Sequence, residues 1–259
     1  MIANKKIIWE RDFSEDSKKP QLFTGLGEAS LQKLMENSTL QNYESKQLLV
    51  QQGDEPTHMY FIVKGALRAF RTSEDGAETT ISMLEKGSIC MEAVLFMGGP
   101  SPISIQVLET TQLMLVPRTF VKNFVIQDQQ FATNLLKIVA QHYKTAMHQV
   151  DAMAIKSPVQ RVGYYFLQQH IEQGSESMEF ELSFRKSMIA NHLGITPETF
   201  SRALCQIKKM GVDVDGENIK MKDAYALCHF CDLEAAHDCT LSNKSECSYC
   251  PLSTEENYH

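Results

Sequence analysis

Beyond Pro117 the chain carries no glycine until Gly163, and within that stretch apolar residues fall on a heptad: Leu136, Val139, Tyr143, Ala146, Val150 and Met153, spaced 3, 4, 3, 4, 3. Such a run predicts one long helix with an apolar seam. A seam of three heptads serves either a helix facing its own core or a parallel two-stranded coiled coil, and the polar residues flanking it favour the coiled coil. Ser157-Pro158 then interrupts the helical pattern and marks a hinge. Whatever else the chain does, it is divided by this helix into parts before and after.

Before the helix the pattern is different. Residues 21–36 carry Leu31, Leu34 and Met35 at helical spacing behind the candidate cap Ser30, which predicts a short amphipathic helix. From 40 to 116 come short β-prone runs (LLV, MYFIVKGALRAF, TTISML, ISIQVLE, QLMLV), separated by turn signals at Gly53-Asp54, Asp75-Gly76, Gly87 and Gly98-Gly99-Pro100. Strands at this spacing predict a small barrel or jelly roll.

After the hinge, residues 159–173 read as a helix closed by Gly174, and ESMEFEL (176–182) alternates as a short strand. Two short helices follow. The first spans about 184–193 behind the candidate cap Ser183 and closes on Gly194; the second starts at Thr196-Pro197 and runs to Gly211. A hairpin around Asp215-Gly216 completes the order helix, turn, helix, wing, that of a winged helix-turn-helix. In TPETFSRALCQIKKM the residues Phe200, Leu204, Ile207 and Met210 are expected to face the core, leaving Glu198, Ser201, Arg202 and Lys208 outside. Arg binds guanine O6 and N7 bidentately and Glu accepts from cytosine N4, so this face suits a major groove.

The formal charge of −7 is unsuited to a polyanion, but it is concentrated at one end: residues 223–259 hold seven acids against one lysine. Within 183–210 the balance reverses, with Arg185, Lys186, Arg202, Lys208 and Lys209 against Glu198 alone, and a local basic face suffices to bind phosphate. With 43% apolar and 22% charged residues in 259, disordered and rod-like chains are excluded. No apolar run approaches the roughly 18 residues needed to cross a bilayer, and the start MIANKKIIWERDF lacks the apolar stretch of a signal peptide, so the expected location is cytoplasmic, with no membrane partner. No G-x-S-x-G, P-loop, G-x-G-x-x-G or H-E-x-x-H sequence occurs, and an enzyme is not expected.

The segment GITPETFSRAL, preceded by a helix ending IANHLG, closely resembles the recognition helix of the CRP/FNR bacterial transcription regulators. The resemblance extends over most of the chain, through the QQGDEPTHMYFIVKG stretch, the long helix, the hinge SPVQR and the wing. Glu198, Ser201 and Arg202 match the E-x-x-S-R pattern of the FNR branch, and Ser187-Met188 depart from the Gln and acid that family members carry in the first helix. The resemblance implies an α+β architecture. Its parts are a cyclic-nucleotide-binding-like β-barrel or jelly roll over residues 1–120, a dimerisation helix over 121–156, a winged helix-turn-helix over 157–226 and a cysteine-rich tail over 227–259. It implies a sequence-specific, homodimeric regulator on double-stranded DNA with palindromic TTGAT-like half-sites. Expected DNA contacts are Glu198, Ser201, Arg202, Thr196, Thr199, Arg185, Lys186 and Lys208; the expected dimer interface is the heptad seam.

In the family the β domain binds a cyclic nucleotide, haem or another effector, or supports an iron-sulfur cluster. The segment matching the cAMP pocket is CMEAVLFMGGPSPIS: Glu92 stands for the ribose-binding acid, but Met91 replaces Gly, Pro102-Ile103 occupy the cation positions, and no Arg occurs from 72 to 117. Cyclic AMP is therefore not the expected effector. His58, His142 and Cys90 are possible axial haem ligands, but no spacing specifies them.

Five of seven cysteines, Cys228, Cys231, Cys239, Cys247 and Cys250, lie in the last 32 residues. Two Cys-x2-Cys pairs 15 residues apart in a reducing compartment indicate a metal rather than disulfides. The thiols suit a 4Fe-4S cluster, structural zinc or a thiol-disulfide switch. Because FNR-type N-terminal cysteines are absent, the iron-sulfur reading, with a redox, oxygen or nitric oxide signal, is preferred. The alternatives are a zinc tail acting as an interaction module, for instance toward RNA polymerase, or a small-molecule effector in the barrel with Cys90 and Met91 lining the cavity.

Overall fold

The computed structural model describes residues 20–172, 179–222, 227, 230 and 231. It divides after Ala146 into two compact units. The first begins with a 3₁₀ turn at Gln21–Phe23 and helix α1 (Glu28–Glu36), then builds two four-stranded antiparallel sheets. One has the order β1 (Thr39–Tyr43), β8 (Thr111–Pro117), β3 (His58–Lys64), β6 (Ile89–Cys90). The other has the order β2 (Leu48–Val50), β7 (Ser104–Val107), β4 (Leu67–Thr72), β5 (Glu78–Leu84). Helix α2 (Glu92–Met97) lies between β6 and β7 in sequence, and α3 (Arg118–Gln127) follows β8.

The uninterrupted apolar run MYFIV has a physical cause in this arrangement. Successive side chains of a strand point to opposite faces. On β3, Tyr60 and Ile62 enter the core between the sheets together with Leu67, Ile105, Val107, Leu113 and Leu115. Met59, Phe61 and Val63 enter a second core on the other face, with Phe23, Leu34, Val121, Phe124, Phe131 and Leu135 from the 3₁₀ turn and the helices. Strand β8 repeats the division, Leu113 and Leu115 facing one way, Met114 and Val116 the other.

Two local expectations are corrected here. Ser30 does not cap α1: Gly27 holds that position, and the Ser30 hydroxyl instead donates to the Asp128 carboxylate. Nor is 121–156 one helix. The chain breaks at Asp128, whose backbone is extended (φ −126°, ψ 105°), between α3 and α4 (Gln129–Ile155). Asp128 Oδ1 accepts the Phe131 backbone N–H at 2.8 Å, the geometry of a helix N-cap. Burial works against its ionised form, but hydrogen bonds from Ser30 and the Phe131 and Gln130 backbones hold its carboxyl below the usual range.

The second unit holds α5 (Pro158–Glu172), α6 (Lys186–His192) and α7 (Pro197–Lys209) beside a three-stranded antiparallel sheet of order β10 (Val212–Asp215), β11 (Asn218–Met221), β9 (Glu179–Glu181). Of the ESMEFEL segment, residues 176–178 lie outside the described residues; at its end Phe180 is buried between exposed Glu179 and Glu181. Val212, Val214, Ile219 and Met221 turn inward beside it. Helix α6 starts at Lys186 after Arg185, not behind Ser183, and has no side-chain cap. No helix among the described residues is long and apolar enough to cross a membrane.

Gly65, which closes the MYFIVKG run between β3 and β4, has φ +90°, and a Cβ there would lie 2.3 Å from Thr111 Oγ1 and 2.8 Å from Thr111 Cα. Left-handed strain and overpacking act together, so Gly65→Ala should cost about 2 to 4 kcal/mol in urea unfolding, against near-neutrality for Gly76→Asn at an open turn.

Candidate nucleic-acid interface

The helix pair assembles from local chemistry. Gly194 adopts φ +65°, a left-handed conformation that glycine takes without strain, and the turn is closed by Ile195 N–H to Ala190 O at 3.0 Å and Gly194 N–H to Asn191 O at 3.1 Å. Helix α7 then begins as expected: Thr196 Oγ1 accepts the Thr199 backbone N–H at 3.2 Å, and Pro197 occupies the first turn. Phe200, Ala203, Leu204 and Ile207 are buried, which anchors one side of α7. Met210, expected inside, is half-buried, and the expectation overlooked Ala203.

The opposite side carries Glu198, Ser201, Arg202 and Lys208, all exposed. Hydrogen bonds from its own backbone N–H and from the Thr196 hydroxyl, with Arg202 nearby, hold the Glu198 carboxyl below the usual range. At neutral pH it is an anionic acceptor. The Ser201 hydroxyl donates to Pro197 O at 3.0 Å, a tie along the helix that spacing alone did not reveal. Thr196 and Thr199 are joined through their hydroxyls at 3.1 Å, so their first role is to fix the start of α7. Lys208, at the other end of the helix, pairs with Asp213 at 3.8 Å on the surface. Arg185 is exposed just ahead of α6 and Lys186 is half-buried.

Arg161 holds this unit together, and sequence reading missed it. From α5 its guanidinium donates to Lys156 O at 3.1 Å, Met153 O at 2.8 Å and Leu193 O at 3.2 Å, joining the last turn of α4 to the residue that closes α6. The outer face of the sheet is charged in the opposite sense to α7. Asp213, Lys220 and Glu179 form one cross-strand row, and Asp215, Asn218 and Glu181 the next, all exposed.

The seam of α4 is bare within the single chain: Leu136 is 69% exposed, Tyr143 68% and Val150 59%, with Met153 and Ala146 exposed and Val139 half-buried. Met147, also exposed, extends the same stripe. Phe131 and Leu135 on the first turns face the core instead, so the helix has both a core side and an uncovered apolar side.

In the β unit, Glu92 is 4% exposed, and its Oε1 lies 2.8 Å from His142 Nδ1 on α4. Oε2 is buried with no hydrogen-bond partner among the described residues. Met91 has φ +73°, a backbone conformation that favours glycine. Burial, with Glu92 beside it, pushes the Cys90 thiol well up, so Cys90 is a protonated core residue rather than a thiolate. His58 bonds Thr57 at 2.9 Å, and desolvation lowers its pKa. Of the five tail cysteines only Cys231 is among the described residues; Cys228, Cys239, Cys247 and Cys250 lie outside them. Among the described residues no three His, Cys, Asp or Glu side chains gather as a metal site.

A β-roll, a long helix with a bare seam and a capped helix-turn-helix with a wing make up the architecture of a DNA-binding transcription regulator. Comparison with known proteins agrees: residues 40–128 match the cyclic nucleotide-binding domain family and residues 160–230 the Crp-like helix-turn-helix domain. The chain belongs to the CRP/FNR family. It is 26% identical to the anaerobic regulatory protein of Aggregatibacter actinomycetemcomitans over 185 residues, 70% of this chain and 71% of that one. In fold it is similar to FixK2 from Bradyrhizobium japonicum (TM-score 0.66, 22% identity, 73% of this chain and 95% of that one). It is also similar to a CooA mutant from Carboxydothermus hydrogenoformans (TM-score 0.68, 21% identity, 84% and 97%).

Removing the α7 cap should be measurable in the isolated protein. Thr196→Ala should lower unfolding free energy by about 1 kcal/mol in urea titration, whereas Thr196→Ser should stay within a few tenths of the parent.

Proposed function

We propose that two copies of the chain pair through the α4 seam and insert the Glu198–Arg202 edge of each α7 into adjacent major grooves of a palindrome with TTGAT-like half-sites. The observation that carries this reading is the exposed Glu198, Ser201, Arg202 edge on a helix whose other side is buried. Arg202 reads guanine, the ionised Glu198 accepts from a base amino group, and Arg185 and Lys186 add positive charge near the helix-turn-helix. The uncovered Leu136, Val139, Tyr143, Ala146, Val150, Met153 stripe supports pairing, because apolar area of this kind is stabilised by a partner.

The input assigned to this regulator is the tail. Its donor set, Cys228, Cys231, Cys239, Cys247 and Cys250, is all thiolate, which fits a 4Fe-4S cluster and also zinc. A cluster would supply a group that oxygen, nitric oxide or a change in redox state alters, and the similarity to an anaerobic regulatory protein supports that signal. The chain responds by shifting between two arrangements that bind DNA differently. A second reading, a small-molecule effector in the β-roll together with a structural zinc tail, is favoured by the buried Oε2 of Glu92, which has no hydrogen-bond partner among the described residues. Cyclic AMP does not fit there, since no Arg lies between 72 and 117 to meet its phosphate.

Arg202→Ala should weaken binding to the palindrome by about 1 to 3 kcal/mol and flatten sequence preference. Equal weakening on random duplexes in gel shifts would show that Arg202 contacts only the backbone. Protein purified without oxygen should be brown, with about four iron atoms per chain; a colourless protein with one zinc per chain would overturn the iron-sulfur reading.

A further inference from the structure

Gly163 stands in the interior of α5 without a backbone reason for being glycine, since its φ is not positive, unlike that of ten other glycines. Glycine is among the poorest residues for a helix interior, so space must account for it. A Cβ at Gly163 would lie 2.4 Å from the sulfur of Cys231 and 3.1 Å from Leu227 Cδ1. Leu227 and Cys231, both helical, are 0% and 1% exposed. The adjoining backbone is held too. Lys156 Nζ donates to Cys231 O at 2.7 Å and Gln160 Nε2 to Phe230 O at 3.1 Å, while the Lys156 ammonium lies 5.3 Å from the Tyr164 ring centre.

We propose that Gly163 is a docking notch: the first turn of the cysteine tail is seated on α5 by Leu227 and Cys231, and through Lys156 and Gln160 it is tied to the α4–α5 junction. The same junction is tied by Arg161 to Leu193 O, at the turn ahead of the recognition helix. Chemistry that draws the Cys231 sulfur out of the notch therefore undoes a contact two residues from Arg161. This transmission rests on the reading of the tail as sensor; the docking itself does not.

The test uses the full-length protein. Reduced protein is treated with iodoacetamide, and the rate at Cys231 is compared with exposed Cys205 and with Cys90, which is buried in the β unit. In the parent, Cys231 should react at least about tenfold more slowly than Cys205. Gly163→Ala should raise the Cys231 rate about tenfold while Cys90 stays protected, and Lys156→Met, which adds nothing to the notch, should raise it less. An unchanged Cys231 rate in both variants would overturn the docking. For transmission, palindrome affinity is measured by anisotropy for iron-reconstituted and metal-stripped protein. The parent should show a difference that Gly163→Ala abolishes at equal iron content, and a full difference in Gly163→Ala would overturn the transmission. A parent with no difference between the two states would overturn the sensor reading and the transmission with it, while the alkylation rates still decide the docking.

Discussion

Strands β3 and β8 are the constraint on which the β unit depends, because they are the place where two cores share one layer of backbone. Tyr60, Ile62, Leu113 and Leu115 are committed to the space between the sheets, and Met59, Phe61, Met114 and Val116 to the space under the helices. A shift of one residue in register would exchange every one of these side chains between cores of different shape. The paired register from His58 opposite Pro117 to Ile62 opposite Leu113 is thus fixed from both sides. That rigidity carries α3 and the first turns of α4, which pack Val121, Phe124, Phe131 and Leu135 onto it.

From that base the long helix does two jobs along its length. Its first turns are core, and its later turns present an apolar stripe that the single chain leaves uncovered. His142 belongs to the same helix and closes on buried Glu92, so an acid that the family resemblance associates with a nucleotide ribose is engaged, through one oxygen, by the protein itself. The bond links α2 to α4 within the β unit.

Much of this was legible in the chain. The heptad, the Thr196 cap followed by Pro197, the turn at Gly194 and the inward set Phe200, Leu204, Ile207 all follow from short-range rules acting on a few residues. What was illegible depends on long-range partners. Asp128 inside a helical pattern reads as one more surface acid, and only Ser30, 98 residues earlier, together with the Phe131 backbone shows why the helix restarts there. Ser30 was misread for the same reason, its hydroxyl being committed to that distant carboxylate. Gly163 appeared as the end of a glycine-free run, because nothing near it in sequence announces the Cys231 side chain that fills its place. Arg161 likewise bonds three carbonyls that no periodicity brings together.

The four carboxylates that flank Lys220 and Asn218 in two cross-strand rows on the outer face of β9, β10 and β11 have a consequence for how this unit meets a polyanion. With Glu179, Glu181, Asp213 and Asp215 beside Lys220 on the sheet face, and Arg185, Lys186 and Arg202 at the helix-turn-helix, the unit meets the field of a duplex with its charge unevenly spread. Collisions that bring the sheet forward are repelled, and those that bring the helix forward are drawn in. Orientation is thereby selected during diffusion, before any base edge has been touched, and added salt blunts that selection as it shortens the reach of the field.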